Sequence, residues 1–157
     1  YQSLDQVPPF TDYAMKGRTY RFMTEEPLYA FGYGLSYTRF QYSDLQVTPE
    51  VAQVGESLRV SARVENVGDC AGDEVVQLYV RDVVTSASWT DRELKAFTRV
   101  EVAPGSSARV TLEVPVSACS IVDASGHRIV EPGEFEILVG PSSRPETLLT
   151  AAFTVTP

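Results

Sequence analysis

The chain has 157 residues, 13 basic and 21 acidic side chains and a net charge of −8. The basic residues are spread singly along the sequence instead of clustering, which argues against nucleic acid or an anionic membrane as partner. No apolar run approaches the roughly 18 to 20 residues that a membrane helix requires, and no charged-then-apolar pattern opens the chain. A start at Tyr1 without an initiator Met is expected of a fragment or processed piece, with further residues upstream.

The first 42 residues are unlike the rest. They hold eleven of the fifteen Tyr and Phe rings, and Pro8, Pro9, Pro27, Gly17, Gly32 and Gly34 forbid a long helix without leaving strand-like alternation in its place. Such a segment cannot form a core of its own. Rings of this size are not left in water by a free tail, so residues 1–38 are expected to form an irregular arm lying across a partner surface. Within Pro27 to Thr38, PLYAFGYGLSYT, the residues Phe31, Tyr33, Leu35 and Tyr37 alternate around Gly32 and Gly34. Glycine there lets the backbone approach a surface closely while the rings anchor on one side.

From Arg39 onward the period is two. Strands are expected at Gln41 to Val47 and at Leu58 to Asn66, where Leu58, Val60, Ala62 and Val64 face inward. Glu74 to Arg81 is more apolar, with Val76, Leu78 and Val80 on one face and Val75, Gln77 and Tyr79 on the other, as in a central strand. Glu93 to Val102 and Ser106 to Val114 flank Ala103-Pro104-Gly105 and are predicted to pair as a hairpin. Ser120 to Asp123 and Arg128 to Val130 have hairpin spacing too. Glu134 to Gly140 buries Phe135, Ile137 and Val139, and Leu148 to Thr156 buries Ala151, Phe153 and Val155. Residues 39–157 therefore predict an all-β sandwich of immunoglobulin or fibronectin type III kind, with seven or eight strands.

Little in the chain carries chemistry. The carboxylate pairs Glu134/Glu136, Asp73/Glu74, Asp91/Glu93 and Glu25/Glu26 read as solvated strand faces or turn residues, because no pocket or burial is implied that would raise one pKa for acid–base work. His127, the sole histidine, lies in the turn SGHR without a nucleophile elbow. Cys70, Cys119 and His127 have no metal-ligand spacing, and Gly32 to Gly34 lacks the Lys-Ser/Thr of a phosphate loop. No catalytic, metal or cofactor residue is assigned, and the cysteines are expected to be two inert thiols. No glycosylation sequon is present, and the compartment stays open. Trp89, in the loop Val83 to Arg92, and Tyr79 are the candidate carbohydrate contacts, against the plainer reading of Trp89 as padding for the sandwich or a neighbouring domain.

Several long motifs add a resemblance. GRTYR at Gly17 to Arg21 and PLYAFGYGLSYT at Pro27 to Thr38 closely resemble the end of the α/β-sandwich domain in glycoside hydrolase family 3, which includes β-glucosidases and β-xylosidases. Ala30 stands where that family usually has Pro. Asn66-Val-Gly68 with Ala71 to Val80, Glu93 to Phe97 and Glu131 to Phe135 resemble the family's C-terminal fibronectin type III-like domain, with Ala96 in place of the usual Gly and Cys119 where an apolar residue is common. The lead Pro8 to Tyr13 resembles β-xylosidase-like members. The resemblance implies a non-catalytic module that braces the upstream catalytic domains, with the nucleophilic Asp and the acid/base Glu both upstream of Tyr1. It implies interdomain packing for Tyr29, Phe31, Tyr33 and Tyr37. The alternative is an accessory module that binds polysaccharide or cell wall.

Overall fold

The computed structural model describes residues 1–23, 25–86 and 90–157. Among the described residues ten strands form: β1 (Phe40–Thr48), β2 (Val51–Gln53), β3 (Ser57–Asn66), β4 (Gly72–Asp82), β5 (Glu93–Val102), β6 (Ser107–Pro115), β7 (Ile121–Val122), β8 (Arg128–Ile129), β9 (Gly133–Gly140) and β10 (Leu149–Thr156). Eight of them make two facing sheets, β1-β3-β6 and β2-β10-β9-β4-β5, and β7-β8 is a separate small hairpin. The eight-stranded, all-β sandwich is the architecture that the period-two pattern predicts.

The core lies between the sheets. Leu58, Val60, Ala62 and Val64 of β3 face Val76, Leu78 and Val80 of β4, with Phe135, Ile137 and Val139 of β9 and Phe153 and Val155 of β10. Phe135 and Phe153, paired in register on neighbouring strands, stack with centroids 5.4 Å apart. All strand pairs are antiparallel except β2 with β10, a three-residue addition that is too short to stand out as a sequence pattern.

The predicted pairing of β5 with β6 is wrong. β5 pairs with β4 in one sheet and β6 with β3 in the other, so Ala103-Pro104-Gly105 carries the chain across the core. Alternation could not separate the two cases, since strands side by side and strands stacked face to face both turn every second residue inward. What closes the arch is a turn bond from Ser106 N to Ala103 O (3.1 Å), Gly105 at φ +67, and two bonds to the Asn66 backbone: Gly105 N to Asn66 O and Asn66 N to Ser106 O, both 3.0 Å.

Asn66 is the keystone at this end. Its side chain is fully buried; Nδ2 donates to Cys70 O (2.7 Å) and Val102 O (2.9 Å), while Oδ1 accepts from Thr38 Oγ1 (2.6 Å) and Gly68 N (3.0 Å). A buried amide of this kind is tolerated only when all four positions are filled, and here they are.

Candidate functional site

The outer face of β4 presents Gln77, Tyr79 and Arg81 at the strand period, and the arm is fastened to the first two. Gln77 Nε2 donates to Gly32 O (3.0 Å) and Pro141 O (2.5 Å), and its Oε1 accepts from the Tyr79 hydroxyl (2.6 Å). Phe31 O accepts from Ser143 N at 2.8 Å, with the Tyr79 hydroxyl 3.4 Å away. Gly32 has φ +77, and a Cβ there would fall 1.9 Å from Gln77 Oε1. Only glycine allows this approach of arm to sheet.

Tyr20, on the four-residue helix α1 (Thr19–Phe22), completes the layer. Its ring stacks on Phe31 at 4.1 Å and meets Tyr79 edge-on at 6.4 Å, and its hydroxyl accepts from Leu94 N at 3.1 Å. Burial holds the Tyr79 hydroxyl protonated far above its usual range, the neighbouring Tyr20 adding to the shift and Arg92 opposing it. Tyr79 is thus a fixed neutral donor between strand and arm.

Ion pairs surround this joint. Arg81 bonds to Asp91 and Glu136, both at 3.0 Å, and Arg92 pairs with Asp91 while Nη1 donates to Ser143 O at 2.6 Å. Asp91 N in turn donates to Arg21 O (2.6 Å), Arg21 pairs with Glu93 (3.1 Å), and Arg144 pairs with Glu26 (3.2 Å). Farther along, Thr38 reaches Asn66, and Val67 N donates to Arg39 O at 2.9 Å. The arm is held at three stations, near Tyr20, Phe31 and Thr38.

The surface beneath the arm is therefore, in part, the chain's own sandwich. Of the rings read as interdomain packing, Phe31 keeps 43 % of its surface exposed, Tyr29 and Tyr33 tilt against each other at 5.2 Å with both largely exposed, and Tyr37 stands free. Tyr79, a candidate sugar contact by sequence, is corrected: the arm leaves its side chain 0 % exposed, with no ring face for a sugar. Trp89 lies outside the described residues.

The carboxylates weighed for hydrolysis are mostly in structural pairs: Asp73 with Arg99, Asp91 with Arg81 and Arg92, Glu93 with Arg21 and Lys95, Glu136 with Arg81. His127 is exposed, 3.9 Å from Asp123. Both cysteines are free thiols; Cys70 is exposed, and burial pushes the pKa of Cys119 up to about 11. Among the described residues no cluster of metal-ligating side chains occurs.

Sequence reasoning missed Tyr20, Gln77, Arg92 and Asn66 as organising residues. Gln77 left a trace, as the single amide in the apolar run VVQLYV, and Tyr20 sits inside the GRTYR motif. Arg92 left none, because besides the adjacent Asp91 the group it holds is the Ser143 carbonyl, far along the chain.

Comparison with known proteins agrees with this architecture. The family pattern described as fibronectin type III-like domain matches residues 74–143. A putative β-xylosidase of Formosa agariphila is 34 % identical over 146 residues, covering 90 % of this chain and 19 % of that protein. Thermostable β-glucosidase B of Acetivibrio thermocellus is 44 % identical over 122 residues, covering 76 % and 16 %. A solved β-glucosidase from Erythrobacter marinus superposes with a TM-score of 0.81 at 38 % identity over 97 % of this chain and 20 % of its own, so the likeness takes in the arm. β-Glucosidase 3B from Thermotoga neapolitana gives 0.75 at 44 % identity over 84 % and 18 %. The chain spans about a fifth of the length of the relatives it matches. With its sandwich, its latched aromatic arm and these relatives, the chain belongs to the fibronectin type III-like modules of the glycoside hydrolase family 3 β-glucosidases and β-xylosidases.

Proposed function

We propose that this module braces the catalytic domains of a β-glycosidase and takes no part in bond cleavage. In this reading residues 39–157 are the module and residues 1–38 the joint leading to an upstream domain, with the nucleophile and acid/base of the hydrolase outside this chain. Tyr29, Phe31, Tyr33 and Tyr37 pack against that upstream domain. The observation that carries the reading is the one-sided arm: its backbone and Tyr20 are latched to β4 and β5, while Tyr29, Tyr33 and Tyr37 are exposed and Phe31, stacked on Tyr20, still keeps 43 % of its surface open. Apolar rings held in fixed positions at low entropic cost are what a second protein surface covers.

Two measurements test it. This chain, assayed on nitrophenyl β-glucoside and β-xyloside, is expected to give no turnover; activity that follows the chain through purification overturns the proposal. In the full-length enzyme, Phe31→Ala with Tyr33→Ala is expected to lower the melting temperature by several degrees, as for about 2 kcal/mol of lost packing, with KM nearly unchanged. A raised KM at unchanged melting temperature would assign the rings to substrate.

A further inference from the structure

Beside the latch runs a groove that the arm leaves open. It has a volume of about 390 Å³ and lies between the arm residues Phe31, Gly32, Gly34 and Leu35 and the outer face of β4 and β5, where Val75, Leu94 and Phe97 line it. Phe97 is 67 % exposed in mid-strand, and Val75 and Leu35 are also exposed. Large apolar side chains gathered in a concave strip on one sheet face mark an interaction surface more strongly than scattered ones do.

Each polar side chain that lines this groove already holds a partner within the chain. Gln77 spends both amide hydrogens on Gly32 and Pro141 and its oxygen on Tyr79. Asp73 is paired with Arg99, Glu74 accepts from Tyr42, and Ser36 Oγ accepts from Thr38 N. A sugar is oriented by several free donors and acceptors converging on it, and here Gln77 is fully engaged within the chain while Asp73, Glu74 and Ser36 each already hold a partner, whereas apolar side chains need only the apolar surface that Val75, Leu94 and Phe97 offer.

We propose that the groove receives apolar side chains from the catalytic part of the same polypeptide, with Phe97 and Val75 as the sandwich's own contribution to the joint. The inference rests on the bracing role proposed above and extends it from the arm to the sheet. Continuity selects this occupant: the arm forms one wall of the groove and presents Phe31 both to Tyr20 and to the groove. A surface tethered through the arm meets the groove at an effective concentration in the millimolar range, far above that of a free second copy.

The test is thiol footprinting of the full-length enzyme in a Cys70→Ser background. Phe97→Cys, Val75→Cys and Tyr33→Cys are each treated with a water-soluble maleimide, and each rate is compared with that of the same variant unfolded in guanidinium chloride. A covered groove slows Phe97→Cys and Val75→Cys by about 100-fold or more, since modification then waits for local opening. If both label within about tenfold of their unfolded rates, the groove is open and the inference is overturned. Tyr33→Cys separates the two readings: protected with the groove free, it keeps the arm joint and removes the groove; unprotected along with both groove positions, it removes both. Protection of the groove that disappears on dilution of the enzyme would assign the occupant to a second copy instead and would equally overturn the proposal.

Discussion

A few buried polar side chains decide how this chain holds together. Asn66 joins β3, the arch between β5 and β6, the turn at Cys70 and the end of the arm. Asn66→Ala strands the Thr38 hydroxyl, the Gly68 amide and two carbonyls, so a loss of about 2–4 kcal/mol is expected in denaturant unfolding of the chain. A loss below about 1 kcal/mol would mean that water takes over these bonds. Glu74 illustrates the opposite sign. Burial raises its pKa above the ordinary 4.5, with the Tyr42 hydroxyl and the Val75 amide pulling it partly back. The folded state then binds the proton more tightly than the unfolded chain, so this contribution is fully present below the unfolded pKa and is lost as pH rises through the folded one. Glu74→Gln keeps an acceptor for Tyr42 and removes the titration. Its stability relative to the unmodified chain is expected to rise between pH 4.5 and neutrality, read from denaturant midpoints; a difference that is flat with pH would show that Glu74 titrates alike in both states.

Among the elements, the arm and the arch depend on particular backbone geometry. Gly32→Ala adds both a left-handed strain of about 1–2 kcal/mol and a collision with the Gln77 amide. It is expected to free the arm while the sandwich stays folded: trypsin cleavage after Arg18 and Arg21 accelerates, and the melting of the sandwich changes little. Gly34→Ala is the control, because a Cβ there meets nothing within 4 Å and its cleavage rate is expected to stay that of the unmodified chain. Equal acceleration in both variants would show that the arm is latched elsewhere. The arch at Ala103-Pro104-Gly105 is a decision of the same kind. Pro and Gly announce a turn, but whether it returns the chain beside itself or carries it across the core depends on which strand offers a free edge, and β3 and β4 offer different ones.

For the whole molecule, the distribution of rings is the functional fact. Eleven of fifteen Tyr and Phe rings lie in the first 42 residues, yet the sandwich core takes its bulk from Val, Leu, Ile and the pair Phe135 and Phe153. The proposed bracing role predicts that truncating the full-length enzyme before Phe40 lowers its melting temperature and its half-life at elevated temperature, while a preparation kept cool retains KM on its glycoside substrate. A truncated enzyme with unchanged thermal half-life would show that the module does not brace the catalytic part.

By itself the sequence determined the sandwich, most of its inward residues and the aromatic character of the arm, because period-two burial and Pro/Gly punctuation are local properties written residue by residue. The motifs also carried the family. Only the tertiary structure decided that β5 and β6 lie in different sheets, that Tyr79 is covered instead of offered to a sugar, and that Tyr20, Gln77, Arg92 and Asn66 organise the joint. Each of those outcomes depends on pairings between residues dozens of positions apart, such as Gln77 with Gly32 or Arg92 with Ser143, and alternation along a single strand holds no information about which distant surface will cover its outer face.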